Sequence, residues 1–162
     1  MLLDAVQIQK ILPHRFPFLF VDRVLAATPG ESLVAQKLVS MSDPILQGHF
    51  PGNPILPGVV QVEAMAQAGV VLAHLSGLFD LEIHHCYFIG IQEAKFRAPV
   101  VPGEVLTIEV KALRLGRVSK LSGEIRAGDQ IKSSATFTAV IDAKARPIPV
   151  AHLPVGDPGG PI

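Results

Sequence analysis

From about Pro57 to Leu75 the chain reads PGVVQVEAMAQAGVVLAHL, a helix that is apolar nearly all round, and almost everything after it reads as strand. A helix without a polar face has to be enclosed rather than laid on a surface. Its stop is marked by Ser76-Gly77. Beyond it, His85 to Phe96 forms one strand interrupted at Gly90. Glu104 to Arg114 sets Leu106, Ile108 and Val110 against Val105, Thr107, Glu109 and Lys111. Val118 to Arg126 and Ile131 to Ile141 make a hairpin about Gly128-Asp129. Ahead of the helix, Asp4 to Ile11 is a short amphipathic helix halted by Pro13, a strand is entered at about Leu19, and Ser32 to Ser40 is another. One enclosed helix among five or more strands fits an α+β domain in which a curved antiparallel sheet wraps a long central helix.

That helix carries one carboxylate, Glu63, and the Gly/Pro loop running into it carries one histidine, His49. A charged acid on such a helix is costly to bury, so it holds its proton or finds a partner. A histidine nearby titrates close to neutral pH, so the two together read as an acid–base pair. At 100° per residue Glu63, Gln67 and His74 fall within about 40° of one another, which points Glu63 toward a cleft or a subunit interface. Each residue has a plainer reading. His49 taken alone is a solvated or structural loop histidine, and Glu63 a core acid satisfied by an arginine. His84, His85 and Cys86 suggest a metal cluster at first glance, but strand neighbours face opposite ways and no second ligand group of zinc spacing follows.

Composition narrows the partners. Lys+Arg and Asp+Glu both number 14, which excludes a general nucleic-acid binder with a basic face. With 49% hydrophobic and 17% charged residues and a mean hydropathy of +0.41, the chain is apolar enough to bury surface against copies of itself. The single cysteine, Cys86, cannot form an intrachain disulfide. The stretch from Val59 to Ala73 is broken by Gln61, Glu63 and Gln67 and falls short of the roughly 20 residues of a membrane span. The N-terminus lacks a signal-peptide apolar run. A cytoplasmic protein without a membrane segment is expected. One domain over residues 1–141 and a partly ordered proline/glycine-rich tail over 142–162 complete the reading.

Three blocks, PHRFPFLFVDRV, GHFPGNPILPGVVQVEAMAQ and FIGIQEAKFRAPVVPGE, stand in the order and spacing of the 3-hydroxyacyl-acyl-carrier-protein dehydratases, which the chain resembles over roughly residues 8–141. The resemblance implies the hot-dog fold and a homodimer in which two sheets join, often assembled further into a hexamer as a trimer of dimers. It implies loss of water from an (R)-3-hydroxyacyl thioester to give the trans-2-enoyl thioester, with His49 as base and Glu63 as acid meeting across the dimer interface. Gly58, opening the helix after Pro57, would offer its N–H to the thioester oxygen. An apolar tunnel would draw on Phe16, Phe18, Phe50, Val59, Ile91 and Phe96. Lys95 and Arg97 would form a basic rim for the acidic acyl carrier protein, or simply a solvated face. No metal or organic cofactor is implied, the substrate being carried on the phosphopantetheine of the carrier.

The chain departs from the pattern at Phe16 (usually Tyr), Leu46 (often aromatic), Leu56 (usually Met) and Ala98 (often basic). None of these touches the proton-transfer pair. Related readings are a dehydratase/isomerase, which carries Asp where this chain has Glu63, and a hot-dog thioesterase, which lacks the histidine loop. A silent carrier-binding subunit would have no need of either residue.

Overall fold

A computed structural model describes residues 1–144 of the chain; the expectation for the tail therefore lies outside the described residues from 145 on. The elements are α1 (Ala5–Ile11), β1 (Arg23–Thr28), β2 (Ser32–Leu38), a 3-10 turn (Pro44–Leu46), α2 (Gly58–Leu75), β3 (His84–Phe96), β4 (Val105–Arg114), β5 (Val118–Ala127) and β6 (Gln130–Ala143). β6 carries the domain past residue 141, where the sequence placed its boundary.

α1 starts on a capping box. The Asp4 carboxylate accepts from the Gln7 N–H at 2.8 Å, and the Gln7 side-chain oxygen accepts from the Asp4 N–H at 2.9 Å. The six strands form one antiparallel sheet in the order β1-β2-β4-β5-β6-β3. Alternation sends Leu106, Ile108 and Val110 of β4 and Leu121 and Ile125 of β5 inward, where α2 lies across the sheet. Gly123 sits beneath Met65; a Cβ there would stand 2.7 Å from the Met65 sulfur, so glycine lets helix and sheet close on each other. α2 is long and apolar enough to cross a membrane by length and composition, but 61% of it is buried against its own domain. A sheet curved around one enclosed helix is the hot-dog fold the sequence implies.

The strand expected from Leu19 starts only at Arg23. Over Phe18–Phe20 the backbone is held by a side chain instead of a strand partner. The Gln67 amide accepts from the Phe20 N–H at 2.8 Å and donates to the Phe18 carbonyl at 2.9 Å. β2 ends at Leu38 rather than Ser40. Gly90 does not break β3; the register to β6 slips between Phe88 and Gly90 and again between Ile91 and Glu93, as bulges do.

The two edges of the sheet differ. β1 is short, and the N-terminal residues cover it through Leu2 N–H to Val24 carbonyl at 2.8 Å and Val24 N–H to Leu3 carbonyl at 2.9 Å. β3 is 13 residues long and leaves Tyr87, Phe88, Ile89, Ile91 and Phe96 exposed. A long apolar edge of this kind is a template for another chain.

Candidate active site

His49 is fixed by main chain. Its loop closes through reciprocal bonds between Phe50 and Asn53 and through Ile55 N–H to the His49 carbonyl at 2.8 Å. The Ile55 carbonyl in turn lies 2.8 Å from His49 Nδ1. A carbonyl only accepts, so Nδ1 carries the hydrogen and Nε2 is left as the bare, basic nitrogen. The ring stacks on Phe50 at 4.1 Å between centroids and faces an open depression of about 500 Å³ shared with Gly58, Val59, Phe96 and Arg97.

Gly58 is the first residue of α2, with Pro57 as its N-cap. An N–H in the first helical turn has no intrahelical acceptor and lies at the positive end of the dipole. A Cβ on Gly58 would come within 2.7 Å of the Phe96 ring. The close approach that glycine permits here is thus occupied by an aromatic ring lying over the helix start.

Glu63 is held by side chains. Gln67, one helical turn on and 1% exposed, donates from Nε2 to Glu63 Oε1 at 3.0 Å while its own amide is pinned by Phe18 and Phe20. His14 Nε2 stands 3.6 Å from the same Oε1. These groups open onto a mostly apolar cavity of about 240 Å³ between α2 and the sheet, walled by Cys86, Tyr87, Leu121 and Phe137. Burial lowers the basicity of His14, and the Glu63 charge works against that shift. Burial, reinforced by Glu63, pushes the Cys86 thiol up to about 11, so it stays protonated and unreactive at neutral pH.

Within a single chain His49 and Glu63 line separate cavities. Of the residues expected along the tunnel, Phe18 lies with Glu63, and Val59 and Phe96 lie with His49. Phe16, Phe50 and Ile91 are exposed and line neither of these cavities. Lys95 is paired with Glu93 at 2.5 Å on the surface. Arg97 lies just past the end of β3, donates to the Ser134 hydroxyl at 2.8 Å and borders the His49 depression. Glu63 has a histidine and an amide beside it rather than an arginine. His84 Nδ1 accepts from the Asp80 N–H at 3.1 Å, and among the described residues no group of three or more His, Cys, Asp or Glu could hold a metal ion.

The sequence assigned neither Gln67 nor His14 a role at the acid. Gln67 shares the helix face of Glu63 and so left a periodic signal; His14 sits in the PHRFP block, 49 positions from Glu63, with no local signal at all.

A family model described as a FabA-like domain matches residues 12–136. The 3-hydroxyacyl-[acyl-carrier-protein] dehydratase FabZ of Geobacter metallireducens is 52% identical over 109 residues, covering 67% of this chain and 73% of that one. The protein of the same name from Campylobacter curvus is 46% identical over 145 residues, covering 86% and 98%. Among solved structures, a dehydratase heterocomplex from Xenorhabdus doucetiae superimposes with a TM-score of 0.70 at 21% identity, covering 82% of this chain and 89% of that one. A thioesterase from Pseudomonas aeruginosa does so with 0.64 at 18% identity, covering 89% and 97%. At those identities the two structures establish the fold alone.

Proposed function

The chain belongs to the family of FabA-like domains, and from that premise we propose that it is a hydro-lyase that dehydrates (R)-3-hydroxyacyl-acyl-carrier-protein to the trans-2-enoyl thioester in fatty acid synthesis. Relatives that bear this activity in their names and match most of the chain support the reaction. The observation that carries the base assignment is the bond from His49 Nδ1–H to the Ile55 carbonyl, which leaves Nε2 free to take a proton.

The reaction asks for a base at the α-carbon and an acid at the 3-hydroxyl, because hydroxide is a poor leaving group. His49 Nε2 takes the α-proton, and the electron pair moves onto the thioester oxygen as an enolate. The Gly58 N–H faces that oxygen at the positive helix end. The enolate collapses to the C2–C3 double bond, the C3–O bond breaks, and Glu63 gives its proton to the departing hydroxyl, so that water leaves. Solvent then carries one proton away from His49 and returns one to Glu63.

Because the two residues line separate cavities in one chain, the working unit is a dimer that brings His49 of one copy to Glu63 of the other. The long exposed apolar edge of β3 supports edge-to-edge pairing. Dimers assemble further into a hexamer, which light scattering distinguishes from a free dimer. Arg97 with Lys95 forms the basic rim for the acidic acyl carrier protein, and the chain works in the cytoplasm without a metal or organic cofactor.

The decisive test offers purified protein trans-2-enoyl and (R)-3-hydroxyacyl thioesters on carrier protein, reading enoyl absorbance and product mass. Reversible gain or loss of one water is expected. Release of free thiol would make it a thioesterase, a shifted double bond a dehydratase/isomerase, and no turnover by an intact oligomer a silent subunit.

A further inference from the structure

Dehydration as set out above leaves the PHRFP block without a task, yet the fold sets it against the acid. Pro13 ends α1. Arg15 then clamps the helix end, its guanidinium donating to the carbonyls of Gln9 at 2.9 Å, Leu12 at 2.8 Å and His14 at 2.7 Å. The loop so fixed delivers the His14 ring over α2, with Nε2 3.6 Å from Glu63 Oε1.

The other ring nitrogen settles the tautomer. His14 Nδ1 is buried without a hydrogen-bond partner among the described residues. A buried N–H without an acceptor is rarer and costlier than a buried lone pair without a donor, so the hydrogen belongs on Nε2, facing the carboxylate. The Gln67 amide addresses the same oxygen. Among the described residues no donor addresses Oε2.

We propose that His14 is a positioning residue for Glu63: with Gln67 it gathers two N–H donors onto Oε1 and leaves Oε2 as the oxygen that carries the proton to the leaving hydroxyl. This rests on the reading of Glu63 as the acid. As that proton departs, negative charge grows on the carboxylate, and donors already aimed at it stabilise the transition state more than the ground state. The 3.6 Å separation is longer than a hydrogen bond and tightens in the loaded enzyme, as catalytic contacts do. The titratable groups around the pair are Arg15 in the same loop and Cys86 and Tyr87 on β3, with His49 of the second copy in the assembled dimer.

The test compares His14→Phe, which keeps a ring but removes the donor, with His14→Gln, which keeps an N–H and cannot titrate. On 3-hydroxyacyl-carrier-protein, His14→Phe should lower kcat roughly ten- to a hundredfold, the worth of a hydrogen bond to a charged group, with KM unchanged. His14→Gln should recover most of that loss. Should that variant not fold, His14→Ala with added imidazole replaces it, and rate recovery by imidazole is the expected result.

In a Glu63→Gln background His14→Phe should cost nothing more. A normal kcat in His14→Phe, equal loss in His14→Gln, no imidazole rescue, or losses that simply add to those of Glu63→Gln would each overturn the role of His14. A near-normal rate in Glu63→Gln alone would instead overturn the acid assignment beneath it.

Discussion

The two halves of the proposed proton-transfer pair are held by opposite means. His49 rides on a loop, and its tautomer is fixed by a main-chain carbonyl six residues on, at Ile55. Glu63 rides on the most deeply enclosed element of the fold, and its carboxylate is oriented by side chains from α2 and from a loop far away in sequence. The base can therefore be altered with little consequence for folding, whereas the groups that hold the acid also hold the domain together. Gln67 is the clearest instance, because the amide that touches Glu63 also supplies the hydrogen bonds that Phe18 and Phe20 lack from any strand partner.

The largest effects should isolate chemistry from stability. His49→Ala removes the base along with the Ile55 hydrogen bond and the Phe50 stacking of one half-buried loop ring, so turnover should fall by roughly 10²–10⁴-fold with only a small drop in melting temperature. Glu63→Gln keeps shape and hydrogen-bonding capacity on α2 and should lose turnover within the same range. The two losses should not multiply in the double variant, since base and acid act on one event. Near-normal turnover in either single variant would break the pairing.

A middle-sized effect should couple what those variants separate. Gln67→Leu leaves the buried Phe20 N–H without a partner and strips the half-buried Phe18 carbonyl of its donor. That costs about 2–4 kcal/mol, or a melting temperature lower by roughly 5–15 °C. The same change frees the Glu63 carboxylate, so kcat should fall about tenfold in protein that remains folded at the assay temperature. Thermal melts alongside kinetics would check it. A variant as stable as the parent, or unstable but fully active, would show that the acid's support and the domain's support are different things.

The same contrast decides what could be read from the chain. The helix, the strand alternation of β4 and the β5–β6 hairpin follow periods of 3.6 and 2, and they stand where the sequence placed them. His49, Gly58 and Glu63 lie within one stretch of loop and helix, so one motif brings them into view. Contacts between distant segments leave no such trace. The replacement of a strand partner by the Gln67 amide at Phe18–Phe20, the approach of His14 to Glu63 and the placing of the Phe96 ring over Gly58 all depend on tertiary packing. Phe16 and Ile91 are exposed in a single chain. The tunnel role expected of them would need a second copy of the chain, which no local pattern describes.

The smallest effect is a pH dependence of stability on the acid's side only. Burial depresses the basicity of His14 below its usual value of 6.5 in the folded protein. As pH falls, the unfolded chain therefore takes up this proton before the folded one does, and folding becomes less favourable. The contribution is absent above pH 6.5, develops as pH drops through 6.5 toward the lower folded value, and then levels off. Urea midpoints measured from pH 7.5 down to 5 should decline more steeply in the parent than in His14→Gln, whose side chain keeps the contact without titrating. The parent-minus-variant difference cancels contributions common to both proteins and isolates one histidine. Parallel curves would mean that the ring is protonated as easily in the folded protein as in water. His14 would then be a loop residue whose ring the fold does not desolvate, and the acid would lose the enclosed support that sets it apart from the base.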